Sequence, residues 1–517
     1  MNKISGLAGR MLLLPLLMVA CSQPSNEQSY DSFDKFAGNL SLVESESCAR
    51  TCTAFKKEFR YLVYIGEKIY CYWNEKQIEY KVDFKQKGVE FEDQITNKTT
   101  HTDYFILLVK WASLFRDGHV NAMLRSDVSD LEFYPTDIRF EMLAPGTDHE
   151  KLIISRVGAS ISTLKVGTVI TKIQDKAWTE YSNEAEKFTT GSTLQMRRKQ
   201  VGNNIFRVLL EKDGPLAVKI SGLYNGKEIS EVVARNLQLA DGATEPDEPV
   251  DTGINYIKSS VLENNIGYLR IDEFDGTQMP KLMDQAMDRL AATAGIIIDV
   301  RRNGGGDLSG NTILARLIGT PIDRFHQRAT FSDMINALRP SNLFDYEYKE
   351  GAFTEMKARK VVPAAPEKQY KKPVLVLTSG NCFSACDTFV SAIKENKLGT
   401  IMGEATGGGT GNPMTLSLPM SEHLFRYSVA QGFTAVTRQL LEGAGTQPDV
   451  ILEPTVEERA QGKDIQLVKA LQYFSSKIEG KSIVPVSLPE SLLTVKTEII
   501  KKAYEIERDR EIRRSKD

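Results

Sequence analysis

A largely parallel α/β core, preceded by a strand-rich module and a helical N-terminal segment, is the fold class predicted for these 517 residues. Three observations predict it. Beyond residue 254, apolar strands alternate with amphipathic helices, the pattern of a parallel sheet covered on both faces. Between residues 130 and 240, short β-rich runs are separated by turn signals such as "DGP" and "YNGK". Between residues 30 and 127 the spacing is mainly helical, most clearly in "DYFILLVKWASLFRD" (103–117), which stops at Gly118.

Residues 1–21 are a different material. Lys3 and Arg10 precede the apolar "MLLLPLLMVA", which is shorter than the roughly twenty residues needed to cross a bilayer. The charged-then-apolar layout is that of an export signal. Its end, "MVAC", followed by the polar "SQPSNEQSYD", resembles a bacterial lipoprotein signal, which implies acylation at Cys21. A lipid anchor on the bacterial cell envelope is therefore expected. The absence of Asp after Cys21 favours the outer membrane, facing periplasm or surface.

Composition narrows the partners. With 41% hydrophobic residues, 26% charged residues and a net charge of −3, the chain lacks the clustered positive charge of a nucleic-acid binder. Proteins, peptides or small molecules remain, and a homo-oligomer is left open. Five cysteines follow Cys21: Cys48, Cys52, Cys71, Cys382 and Cys386. Outside the cytoplasm a disulfide is permitted, with Cys48 to Cys52 or Cys71 as the expected pair. The Cys-x-x-x-Cys spacing without a histidine cluster argues against zinc, and neither a metal nor a cofactor is expected.

The stretch "DGATEPDEPVDTG" (241–253), with two prolines and five acids, reads as a linker. The core at 254–480 then runs through "NIGYLRIDEF", the helix "MPKLMDQAMDRLAAT", the buried strand "AGIIIDV" and a glycine turn. The helix "NTILARLIG", the strand "KPVLVLTS" and a helix opening at Ser384 complete it. The segment 481–517 reads as a mixed-charge, solvated helix.

Ser384, in "LTSGNCFSACDTF", sits where a buried strand turns into a helix. With Asp387 three residues on, it is a helix cap on local grounds. Its position at a strand's carboxyl end is also where open α/β sheets place their sites, and unpaired amides at a helix start can hold an oxyanion. Ala385 is the natural amide donor. "DVRRNGGGD" offers more amides, at Gly304 and Gly305, without the Gly-Lys-Ser/Thr of a phosphate loop. A serine nucleophile needs a base. Of five histidines, His119 stands out in "LFRDGHV", just past a helix end. Cys386 as a thiol nucleophile is the alternative, against the simpler reading of Cys382 and Cys386 as small buried hydrophobes.

Four ordered motifs, "IGYLRIDEFDG", "IIIDVRRNGGG", "LTSGNCFSACDTF" and "IMGEATGGGTG", resemble the C-terminal-processing peptidase family of tail-specific and tricorn core proteases. The resemblance covers roughly residues 253–455. It implies a ClpP/crotonase-like catalytic core, a PDZ-like domain at 130–240 and a serine-type peptidase. "LKVGTVITKIQDKAW" (164–178) is similar to the PDZ hairpin, with Thr168 where the family has Asp. The resemblance implies Ser384 as nucleophile. Tail-specific members have a lysine where this chain has Gly409, so a serine–lysine dyad is excluded. The tricorn-like branch uses a histidine in a "DGH"-type motif and a late glutamate, which implies His119 as base and Glu442 as its orienting carboxylate. That branch bridges the two through a serine beside the histidine. Here Gly118 stands there, so the link has to run through water or another side chain.

The expected activity is hydrolysis of peptides or unfolded protein tails. The rival expectation is a non-catalytic binder of peptides or hydrophobic ligands on the same fold.

Overall fold

The computed structural model describes residues 50–124, 138–158, 160–208, 217–234, 257–330, 353–460 and 464–478. The expectations for Cys21 and its signal, the linker 241–253 and the helix 481–517 lie outside the described residues.

Four helices open the described chain: α1 (Arg50–Ile69), α2 (Trp73–Tyr80), α3 (Phe84–Glu92) and α4 (His101–Ser113). Their starts follow capping chemistry. The Asp83 carboxylate accepts the Lys85 and Gln86 amides at 2.9 and 3.0 Å, and Thr100 and Asp103 form a reciprocal capping box. A turn through residues 114–119 then leads into the short strand β1 (Asn121–Met123).

The middle module has strands β2 (Ile138–Leu143), β3 (Lys151–Val157), β4 (Val169–Ile173) and the short β5 (Lys176–Ala177). Helices α5 (Trp178–Glu186) and α6 (Leu194–Val208) follow, then the hairpin β6 (Ala217–Tyr224) and β7 (Lys227–Ala234). The sheet order is β2-β3-β4-β6-β7, antiparallel throughout. The "YNGK" signal is realised as a two-residue turn in which Asn225 and Gly226 both take positive φ, which matches the right-handed twist of the paired strands. Helix α6 packs beside the edge strand β2.

The third part contains β8 (Ile257–Leu262), β9 (Ile266–Ile271), α7 (Met279–Leu290), β10 (Gly295–Asp299), α8 (Asn311–Leu317), β11 (Ile322–Ala329) and β12 (Lys357–Val361). It continues with β13 (Val374–Thr378), α9 (Ala385–Glu395), β14 (Thr400–Gly403), β15 (Met414–Ser417), β16 (Leu424–Tyr427) and β17 (Ala430–Phe433). The strand β18 (Val450–Ile451) and helices α10 (Val456–Ala460) and α11 (Ile465–Ile478) complete it. The central sheet runs β18-β14-β13-β10-β9-β8, parallel except for the β8–β9 pair. Every residue of β10 and β13 is buried, as continuous apolar runs predict. Ile296 and Ile298 face the helices α7, α8 and α9, while Ile297 and Leu375 face Phe474 and Ala470 of α11.

One expectation needs revising. The N-terminal helices are present, but their core is not their own. Phe55, Phe59, Trp111 and Phe115 share one hydrophobic cluster with Met414, Leu416, Phe425 and Tyr427 of the β15–β16 hairpin. Strand β1 pairs with β16, the Tyr427 hydroxyl donates to the Leu62 carbonyl at 3.2 Å, and it accepts the Trp111 indole N–H at 3.2 Å. A helical stretch read alone has no way to declare which distant strands cover its apolar face.

Because that core is shared, the N-terminal helices and the β15–β16 hairpin should melt together. Tyr427→Ala removes a fully buried ring and is expected to cost about 3–5 kcal/mol. Circular dichroism should show one transition at lower temperature; an early melting of helix alone would mean two independent cores.

Candidate functional site

The carboxyl ends of β10 and β13 place two turns side by side. After β13 the chain makes a corner in which Ser384 adopts φ 59° and ψ −117°, a conformation that costs free energy for any residue with a Cβ. Several contacts hold it. The Ser384 amide donates to Asp387 at 3.0 Å, the Phe383 amide to the Asn303 carbonyl at 3.1 Å, and the Gly407 amide to the Cys382 carbonyl at 2.7 Å. A disulfide between Cys382 and Cys386 straddles the serine. This corrects the reading of the two cysteines as buried thiols and removes Cys386 as a thiolate nucleophile. Of the other cysteines, Cys52 is also disulfide-bonded and Cys71 is free and buried, so the pairing through Cys71 is not formed.

The turn after β10 lies directly against the corner. A Cβ on Gly305 would stand 2.7 Å from the Ser384 Cβ and 2.9 Å from the Ala385 nitrogen, and Gly305 has φ 108°, so only glycine fits. Among the described residues the amides of Ala385 and Gly304 donate to no protein acceptor. The Gly305 amide differs from expectation, because it donates to the Asn303 side chain at 2.9 Å and is already engaged.

The imidazole of His119 is 4% exposed and stacks on the ring of Phe383, the residue preceding Ser384, with centroids 4.4 Å apart. Its Nδ1 accepts the Gly411 amide at 3.3 Å and lies 3.9 Å from Asp117 Oδ1. Asp117 also accepts the His119 backbone N–H at 2.8 Å and the Ser428 hydroxyl at 2.7 Å, which fixes its carboxylate beside the ring. Burial lowers the His119 pKa to about 4, against the opposing pull of Asp117. Among the described residues no hydrogen bond joins the His119 ring to the Ser384 hydroxyl.

Glu442 is buried behind this pair, and two side chains that sequence reasoning missed connect it. Ser192, in the turn before α6, donates to Glu442 Oε2 at 3.1 Å and accepts the Gly118 amide at 3.0 Å. Lys76 on α2 donates to Glu442 Oε1 at 2.8 Å and to the Arg116 carbonyl at 2.9 Å. Burial works against the lysine's charge, yet Glu442 and neighbouring anions hold its pKa above the ordinary lysine value. Ser192 and Lys76 carry no local signal, since one lies in the middle module and the other in a plain amphipathic helix. The carboxylate nearest the imidazole is Asp117, whose adjacency in "DGH" was the available clue.

Asp387 is the other residue whose part was larger than its sequence suggested. Fully buried, it accepts the Ser384 and Gly409 amides through Oδ2, at 3.0 and 3.1 Å, and the Gly408 amide through Oδ1 at 3.1 Å. Burial pushes its pKa up to about 7, against the lowering by these donors. One carboxyl thus ties the serine corner to the glycine-rich loop 407–411 that faces His119.

Known proteins resemble this chain in sequence and in fold. Residues 265–452 match the model of peptidase family S41. The carboxy-terminal processing protease CtpA of Bacillus subtilis is 30% identical over 162 residues, covering 31% of this chain and 28% of the relative. A carboxy-terminal-processing protease of Bartonella bacilliformis is 23% identical over 297 residues, covering 51% and 62%. The chain therefore matches less than two thirds of either relative's length. Among solved structures, mature CPAF has the same fold at a TM-score of 0.64 and 16% identity, over 85% of this chain and all of that one. The likeness to peptidase family S41 thus spans the stretch that holds the Gly304–Gly305 turn, Ser384 and Glu442.

Proposed function

We propose that the protein is an exported, lipid-anchored serine peptidase that hydrolyses peptides or unfolded protein tails. The observation that carries this reading is the Ser384 corner: a serine held at positive φ at the end of a buried parallel strand, opening a helix whose first amide has no protein partner among the described residues. In the proposed reaction the Ser384 hydroxyl attacks the peptide carbonyl carbon while His119 takes its proton. The amides of Ala385 and Gly304 stabilise the oxyanion. His119 then returns the proton to the leaving amine, and water hydrolyses the acyl-enzyme by the same route.

The histidine must first change its hydrogen bond. While Nδ1 accepts from Gly411, the neutral ring carries its proton on Nε2 and cannot use that nitrogen as a base. Turning Nδ1 toward Asp117 Oδ1, 3.9 Å away, moves the proton to Nδ1 and frees Nε2 for the serine. Asp117 is then the direct orienting carboxylate. Glu442 acts at one remove, through Ser192 and the Gly118 amide, and Lys76 holds its other carboxylate oxygen.

The middle module is proposed to be PDZ-like. Its edge strand β2 pairs with β3 alone among the described residues, so its outer edge is proposed to take a peptide end as a further strand. Export is supported by the signal-like residues 1–21 and by the Cys382–Cys386 disulfide, which persists in oxidising compartments. Anchoring through Cys21 to the bacterial envelope, at the outer membrane, completes the proposal.

Three outcomes are expected. Ser384→Ala should abolish peptide hydrolysis and labelling by a fluorophosphonate, read by gel and mass spectrometry; a wild-type protein that stays unlabelled would instead support the non-catalytic binder. The pH dependence of kcat/KM should keep its acid limb near 4, because only the neutral imidazole acts as base and its pKa is lowered. A limb at the ordinary histidine value of about 6.5 would show that His119 works in a solvated position. Asp117→Asn should lower kcat by about a hundredfold or more while leaving KM within a few fold, since it removes only the tautomer control. An unchanged kcat would rule out the turn of the ring.

A further inference from the structure

A second feature lies on the other side of the Lys76 link. Between α2, α3 and the end of α4 on one wall, and the α5–α6 turn on the other, is a cleft of about 620 Å³. Its base holds two guanidinium groups, those of Arg116 and Arg197. Arg116 lies over the ring of Tyr80, 4.2 Å from its centroid. Arg197 is only 5% exposed; one of its terminal nitrogens donates to the Gly191 carbonyl at 3.2 Å, and its Nε has no hydrogen-bond partner among the described residues. The two arginines are close enough for Arg116 to work against the charge on Arg197. Neither forms an ion pair among the described residues, and neither do Lys81 and Lys110 on the rim.

The carboxylates lining the cleft offset this charge only in part: Glu186 and the Tyr80 hydroxyl favour the charged form of Arg197, but burial outweighs them. Asp83 is occupied with the amides that start α3, and Glu186 faces Arg198 at 3.7 Å. A buried guanidinium with an unused N–H, set beside a second, half-buried one, costs free energy unless an anion joins them. The planar forks of arginine suit carboxylate oxygens. The volume exceeds that of a small ion and falls in the range of clefts that enclose an organic ligand. Apolar wall is supplied by Tyr80, Phe91 and Leu114, so an extended chain carrying the charge fits better than an isolated anion.

We propose that this cleft is an exosite for carboxylate groups of a polypeptide, held by Arg116 and Arg197 with Lys81 and Lys110 at the rim. The site is mechanically joined to the reaction centre. The Arg116 carbonyl accepts from Lys76, the lysine that pairs with Glu442, and Arg116 stands three residues before His119. Arg197 stands in α6, whose preceding turn supplies Ser192. A bound acidic segment would brace both elements while the chain continues to the serine. The identity of the polypeptide as a substrate rests on the peptidase reading, whereas the binding itself does not.

The test is therefore binding to the full chain carrying Ser384→Ala, measured by fluorescence anisotropy. The probes are a labelled peptide rich in Glu, its Gln counterpart, and each with a free or amidated carboxyl end. At low ionic strength the acidic peptide should bind at least about tenfold more tightly than the Gln peptide with an amidated end, and the preference should shrink in roughly 0.5 M salt. A dependence on Glu assigns the site to side-chain carboxylates, and a dependence on the free end assigns it to a terminal one. Arg116→Gln should weaken binding about tenfold. The exposed Lys81→Glu, which leaves the fold untouched, should weaken it several fold. Equal binding of all four peptides, indifference to both substitutions, or complete displacement by millimolar inorganic phosphate would overturn the proposal. Loss of binding with retained fluorophosphonate labelling of the Ser384 protein separates failure of the exosite from failure of the peptidase reading.

Discussion

The buried carboxyl of Asp387 is the contact on which the rest of the site depends. Sitting in the first turn of α9, it takes up the amide of Ser384, whose positive φ would otherwise be free to relax. The same group collects the amides of Gly408 and Gly409 from a loop that arrives from the far side of β14. Both turns are held by one side chain, so the serine corner and the loop facing His119 keep a common frame. The cost is a carboxyl in an apolar environment, visible as a pKa raised to about 7. A group with its folded pKa raised in this way contributes more to stability at low pH than at high pH, because the ionised form is the one that burial disfavours. The polar frame of the site is thus bought with some of the stability that the surrounding core supplies.

That core explains why the frame holds. β10 and β13 are buried over their whole length, so the turns at their carboxyl ends leave from a rigid base. Glycine at 305 lets the turn after β10 approach the corner at distances a side chain would forbid. His119 reaches the same place from the N-terminal helices because those helices share their apolar cluster with the β15–β16 hairpin. His119 and Ser384 belong to segments far apart in sequence, and hydrophobic burial, rather than any direct polar bond between them, sets their relative placement.

Three parts of the chain meet at Glu442. Lys76 comes from the first helices, Ser192 from the middle module and Glu442 itself from the last part of the core. A buried ion pair of this kind adds little net stability, because desolvation offsets most of the attraction. Its value is positional. Removing any one partner would leave a charge or a lone pair uncompensated, so the three segments hold a single relative placement around the histidine. The Lys199–Glu404 ion pair and the Arg459–Glu141 pair at 2.7 Å make further links between the middle module and the core.

Local pattern determined a large share of this protein. The alternation of apolar runs and amphipathic helices beyond residue 254 fixes a parallel sheet, because a strand buried on both faces has to be continuously apolar. The strand–Ser–helix corner, the "DGH" turn and the triple glycine are likewise set by neighbours within a few residues. What only the tertiary structure decided is partnership. Ser192, Lys76 and the disulfide between Cys382 and Cys386 depend on which surfaces come into contact, and a serine or lysine has the same local signature wherever it stands. The same holds for the amide of Gly305, lost to Asn303, and for the lowered pKa of His119, which reflects burial by segments hundreds of residues away. Short-range sterics and periodicity are written along the chain; desolvation and charge pairing arise only when distant stretches exclude water together.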